Sequence, residues 1–127
     1  MGRVVHFEIN SDNPEVARRF YKKVFGWEIS KQEGDFEYWL IKTGEDDKQG
    51  INGAIKGRKS ASEKVVNTIN VQSIDDSLNK ILDYGGTIMH RKEAVTGVGY
   101  TAYFKDVDGN TFCLFEDDKN AKPIDHK

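Results

Sequence analysis

The 127-residue chain has one cysteine, Cys113, no marked excess of charge of either sign, and no long apolar run. A single cysteine excludes an internal disulfide framework and any zinc site built from cysteine alone, and it fits a reducing compartment. The 19 Lys and Arg against 21 Asp and Glu leave a formal net charge of -2, which removes the electrostatic ground for nucleic acid or an acidic membrane as partner. No stretch approaches a membrane span, and Met1 leads into a strand pattern rather than a signal peptide. These absences point to a cytoplasmic globular protein with one domain, residues 1–127, because the length suits one core and not two.

What is present is hydrophobic periodicity that changes from strand to helix and back, twice. Over Arg3 to Ile9, Val5, Phe7 and Ile9 alternate with Val4, His6 and Glu8, the period of a half-buried strand. Asn13-Pro14 then opens a helix, with Asp12 or Asn13 as cap, and Ala17, Phe20, Tyr21, Val24 and Phe25 form its apolar stripe up to Gly26. Trp27 to Ile29, Phe36 to Lys42 and Gly50 to Lys56 read as three strands, separated by turns at Glu33-Gly34-Asp35 and Gly44 to Lys48. The polar stretch Gly57 to Lys64 reads as a linker.

Beyond it, Val65 to Val71 alternates again, Ile74 to Tyr84 reads as a helix ended by Gly85-Gly86, and three strands follow at Thr87 to Arg91, Gly99 to Lys105 and Asn110 to Glu116. The turn Asp106 to Asn110 carries Asp108-Gly109 and lacks the remaining ligands of a calcium loop. Ile9-Asn10 falls on Ile69-Asn70, Gly26 on Gly86 and Ile29 on Met89, a constant spacing of 60 residues, so a duplicated unit is expected. The resulting class is α+β: module one 3–56, linker 57–64, module two 65–116, and a polar, loosely held tail 117–127.

The order βαβββ occurring twice, the opening VVHFEINSDNPEVARRFYKKVFGWEI and the closing YFKDVDGNTFCLFE together resemble the vicinal oxygen chelate superfamily of glyoxalases, bleomycin-resistance proteins and extradiol dioxygenases. The resemblance spans residues 3 to 116. It implies curled mixed sheets forming half-barrels that pair around a ligand cleft. It also implies a divalent metal held by a His or Gln on the first strand and a Glu on the last strand of each module. His6 stands at the first of these positions. By the turn and the spacing of 60, the other three are Gly53, Val66 and Cys113, and two of the four offer no donor atom. Glu116 falls on the opposite face from Cys113, and Asn67 on the face of Ile69 and Val71. No metal ligands are therefore assigned and no cofactor is expected, a divalent metal being disfavoured.

His6 is then either a histidine satisfied by a neighbouring backbone group or a cleft residue free for hydrogen bonding and acid–base chemistry, with Glu8 on the same face as its partner. Glu8 is equally readable as a solvated group at the cleft mouth. His6 and Glu8 are the candidate catalytic pair. Thr68 and Asn70 share the cleft-lining face with them, while Val5, Phe7, Ile9, Ile69 and Val71 lie under the helices. Trp39, Thr101, Tyr103 and Phe115 are candidate aromatic-pocket residues, and Cys113 joins them as a buried, unreactive lining group. These features favour a small-molecule-binding protein with a degenerate metal site. The alternatives are a glyoxalase- or dioxygenase-like lyase or oxidoreductase using His6, and a ligand-sensing or structural partner. A homodimer is expected, because sheet edges left by paired half-barrels are covered by a second copy.

Overall fold

The computed structural model describes residues 1–34 and 37–126. Asp35 of the expected turn, Phe36 at the start of an expected strand and Lys127 lie outside them. The chain divides into two compact units, Val5–Val66 and Asn67–Lys127 with Met1–Val4. Each has the same element order, giving an α+β fold of two βαβββ modules.

Module one runs β1 (Arg3–Ser11), α1 (Pro14–Phe25), β2 (Glu28–Lys31), β3 (Tyr38–Lys42) and β4 (Asn52–Gly57). Its strands lie in the order β2-β3-β4-β1, antiparallel except that β1 pairs with β4 in parallel. Helix α1 starts where Asn13 accepts a hydrogen bond from the Val16 amide, with Pro14 in the first turn whose missing amide costs nothing there. It ends at Gly26, which takes the left-handed φ of 73° that side chains disfavour. The helix covers one face of the sheet. Trp39, Ile41 and Ile55 form the buried core there, with Phe7, Ile9, Ala17, Tyr21, Trp27 and Ile29 packed against them.

Helix α1 departs from the expected stripe. Ala17 and Tyr21 face the sheet, whereas Phe20, Val24 and Phe25 are exposed at 57%, 55% and 60%. Apolar residues at positions 16, 17, 20, 21, 24 and 25 span a wider arc than one sheet can bury, so the outer part of the stripe remains in solvent. Val5 is likewise 43% exposed rather than under the helix.

Module two runs β5 (Val65–Asn70), α2 (Ile74–Asp83), β6 (Thr87–Val95), β7 (Gly99–Lys105) and β8 (Thr111–Asp117), with strand order β5-β8-β7-β6. Ser73 caps α2 through the Asp76 amide, and the Glu116 carboxylate accepts from the Ile74 amide at 2.8 Å, placing a negative charge at the helix start. Ile74, Ala102 and Leu114 are the buried core, with Ile69, Val71, Leu78 and Phe104 against them. Strand β6 runs four residues past the expected end. Two register irregularities let it continue, and Lys92 is held by Asp75 at 3.2 Å and by the Tyr100 ring. The 106–110 segment is a turn closed on itself: the Asp106 carboxylate accepts from the amides of Asp108 and Asn110 and from the Asn110 side chain, which holds its pKa below the usual carboxylate value.

The linker and the tail expected to be loosely held are both fastened. The linker is tied to the end of β1: the Arg58 amide donates to the Ser11 carbonyl, its guanidinium donates to the Asn10 carbonyl, and the Asn10 side-chain amide donates to the Lys64 carbonyl at 2.6 Å. In the tail, Ala121 is buried, its carbonyl accepts from Gly97, and His126 lies 3.1 Å from Glu93. These are backbone and single-residue contacts that leave no periodicity in a sequence. Among the described residues no helix is long and apolar enough to cross a membrane.

Candidate ligand-binding site

Strand alternation gives each sheet a second face, away from its helix. In module one, Phe7 and Ile9 pack under α1, so His6, Glu8 and Asn10 point the other way. The register carries that face across the sheet: His6 pairs with Asn52, Glu8 with Ala54, Ala54 with Leu40, and Leu40 with Ser30. The expected facing of His6, Glu8, Phe7 and Ile9 is therefore the observed one. Glu8 is not solvated: it is 8% exposed, with the Lys56 ammonium 3.8 Å from its carboxylate.

At the end of this sheet a concavity of about 580 Å³ opens, where β2 and β4 begin, β3 ends and α1 makes its last turn. His6, Ser30 and Asn52 supply uncharged polar groups, Ile29, Leu40 and Ile41 the apolar surface, and Lys22, Lys42 and Glu28 the charges. Asn52 is held by accepting from the Thr43 amide at 2.9 Å. Apart from His6, none of these polar residues was singled out in the sequence. Lys22 arrives on a helix turn and Lys42 on a strand end, and only tertiary packing brings them together.

His6 is half-buried. Burial disfavours its charged form and lowers its pKa below the ordinary 6.5, the Glu8 carboxylate acting in the opposite direction. The imidazole is thus neutral at pH 7, with one nitrogen as donor and the other as acceptor. Because the folded state binds this proton less readily than the unfolded chain, the stability that His6 contributes is complete above pH 6.5 and is lost as the pH falls from there through the folded-state pKa. The urea midpoint is expected to drop more steeply in wild type than in His6→Gln between about pH 7.5 and 5, a window set by the imidazole. Parallel profiles would mean that His6 titrates like a free histidine.

Module two repeats the arrangement. Thr68 pairs with Cys113 and Cys113 with Tyr103; Asn70 pairs with Phe115 and Phe115 with Thr101. All six therefore share the face away from α2. Thr68 and Cys113 are buried, Tyr103 meets His90 edge-on at 5.5 Å between ring centroids, and the Phe115 ring lies against Gly99. Trp39 is the exception among the candidate lining residues. It shares its phase with Ile41, and its ring is in the core under α1, 5.6 Å from the Arg18 guanidinium carbon.

The metal positions need one correction. Gly53 faces Phe7 and Ile41, on the helix side. Thr68 pairs with Cys113 and its counterpart Glu8 pairs with Ala54, so Ala54, not Gly53, matches Cys113. The spacing of 60 holds for β1 and β5 and slips by one at β4 and β8. The corrected positions are His6, Ala54, Val66 and Cys113, and the methyl group of Ala54 and isopropyl of Val66 cannot ligate. Among the described residues no three His, Cys, Asp or Glu side chains are gathered where they could hold an ion. Glu116 and Asn67 lie on the helix side, as their strand phase requires.

The family model of the Glyoxalase/Bleomycin resistance protein/Dioxygenase superfamily matches residues 3–114. No curated protein matches the chain. Among solved structures, a variant of Streptomyces coelicolor methylmalonyl-CoA epimerase in complex with 2-nitronate-propionyl-CoA aligns with a TM-score of 0.68 and 14% identity over 97% of this chain and 99% of that one. The methylmalonyl-CoA epimerase of Mycobacterium tuberculosis aligns at 0.68 with 13% identity, over 92% and 88% of the two chains. A superfamily member from Vibrio splendidus 12B01 aligns at 0.64 with 19% identity, over 92% and 100%. Identities this low speak for fold and not for activity. With the family match spanning nearly the whole chain and both modules built alike, the chain belongs to the Glyoxalase/Bleomycin resistance protein/Dioxygenase superfamily.

Proposed function

We propose that the protein binds a small organic anion in the module-one concavity, without a divalent metal, and works as a homodimer. The observation that carries this reading is the pairing of an apolar surface, Leu40, Ile29 and Ile41, with the two cations Lys22 and Lys42 in one cavity of about 580 Å³. That volume and that mixture suit a ligand with an apolar body and one charged group. Neither lysine makes an ion pair among the described residues. Glu28, the cross-strand neighbour of Lys42, offsets only one of the two positive charges. Neutral His6 and Asn52 supply orienting hydrogen bonds. The donor set does not fit a metal, because two of the four family positions carry hydrocarbon.

The test is a thermal-shift series with matched probes: phenylacetate, uncharged phenylacetamide, and the chlorides of zinc, nickel and manganese alone. Phenylacetate should raise the melting temperature and the amide should not. A ligand at a hundred times its Kd stabilises by about 2.7 kcal/mol. Lys42→Gln should weaken phenylacetate binding by about tenfold, the worth of one charge-assisted hydrogen bond. Equal shifts from acid and amide would remove the anion from the proposal. One stoichiometric metal lost in His6→Ala would overturn the metal-free reading.

A second reading, proton transfer by Glu8 with His6, is favoured by the burial of Glu8 beside a neutral imidazole. The epimerases that share the fold make an enzyme a reasonable rival. It requires exchange of the phenylacetate α-proton with solvent deuterium, abolished in Glu8→Gln while binding persists.

A further inference from the structure

The outer face of α1 is apolar along its length and basic beside it. Val16, Phe20 and Val24, spaced four residues apart and so on one side of the helix, are each about half exposed. Such a row is more than the isolated exposed apolar residues usual on a monomer surface. Of the four basic residues of α1, Arg18 is paired with Glu15 and lies over the Trp39 ring and Lys22 lines the concavity, which leaves Arg19 and Lys23 for the outer face. Helix α2 has the reverse balance: Asp75, Asp76 and Asp83 against Lys80, with Leu82 and Tyr84 exposed at 54% and 83%.

We propose that α1 is a self-association surface and that its occupant is α2 of a second copy of this chain. Two α1 helices brought together would set Arg19 and Lys23 against their own copies, whereas α1 against α2 matches opposite charges. An antiparallel arrangement places the basic last turn of α1 beside the acidic first turn of α2. It also leaves Leu82 and Tyr84 toward the Val16 end of α1 and opposes the two helix dipoles. Lys23 and Asp76 are the charges free to meet in this way, since Asp75 is engaged by Lys92. The inference rests on the reading of the protein as a homodimer and is independent of the ligand.

Sedimentation equilibrium on the full chain tests it. Wild type should be a dimer at micromolar concentration that weakens as salt is raised. Phe20→Ser should be monomeric with an unchanged circular dichroism spectrum, because the side chain removed is exposed. Lys23→Glu and Asp76→Lys should each raise the dimer Kd by about three- to tenfold, and the double variant should recover most of the loss. A wild-type protein that remains monomeric overturns both the dimer and its surface. A dimer indifferent to Phe20→Ser and to both charge reversals keeps the dimer and overturns the surface. A dimer strengthened by Lys23→Glu would identify α1 against α1 instead.

Discussion

Trp39→Ala is expected to lower the unfolding free energy by about 3–5 kcal/mol, the usual cost of deleting a large buried aromatic side chain. A domain of this size has about 5–15 kcal/mol in all, so the variant should unfold at a much lower urea midpoint. The ring packs on Ile41 and Ile55, and the Arg18 guanidinium and the Lys31 ammonium lie 5.6 and 5.8 Å from its centroid, so its loss opens a cavity and removes the aromatic face beside two cations. Trp39→Phe should cost far less. The indole N–H is buried and has no hydrogen-bond partner among the described residues, so removing it sacrifices no bond to them. If Trp39→Ala unfolded like wild type and lost affinity for phenylacetate instead, the indole would belong to the cavity and not to the core.

The second large effect is expected from a single methyl group. A Cβ placed on Gly53 meets the Phe7 ring at 2.7 Å and the Phe7 carbonyl oxygen closer still, inside the parallel pairing of β1 with β4. Gly53→Ala should therefore cost about 1–3 kcal/mol through overpacking, and Gly53→Val more. Gly99→Ala belongs to the same class, with the Phe115 ring 2.7 Å from its Cβ. Gly57→Ala is the control: its Cβ meets nothing within 4 Å, and a change within about 0.5 kcal/mol is expected. Equal urea midpoints for Gly53→Ala and Gly57→Ala would show that the sheet yields at Gly53 without cost.

Much of the fold was legible because its signals are local. Alternation in Val5 to Asn10 separated Phe7 and Ile9 from His6 and Glu8, and Asn13-Pro14 and Gly26 bounded α1. Strand β3 was not legible in phase. Tyr38-Trp39-Leu40-Ile41 is apolar at every position, so nothing local says whether Trp39 and Ile41 or Tyr38 and Leu40 face the helix. Trp39 therefore reads equally well as a pocket residue although it belongs to the core, and nothing local marks Leu40 and Lys42 as lining the concavity. The slip of one residue that substitutes Ala54 for Gly53 is a matter of register between strands distant in sequence, which element order alone does not fix. The breadth of the apolar arc on α1 could be read, but how much of it one sheet can cover could not.

The parallel pairing of β1 with β4 has a consequence for synthesis on the ribosome. Within module one the first strand made is the last to find its place, since His6 has to wait for Asn52 and Asn10 for Lys56. The β2-β3-β4 meander can assemble from neighbours, and α1 can wind as it emerges, but β1 stays without its module partner until residue 57 is clear of the exit tunnel. Module two repeats the delay, with Thr68 waiting for Cys113. Long-range closure of this kind sets the pace of folding more than local helix formation does. The nascent chain thus carries an exposed strand, Val4 to Ile9, through most of the translation of its first half, and the polar residues His6 and Glu8 within it interrupt an apolar run that would otherwise invite pairing with other chains.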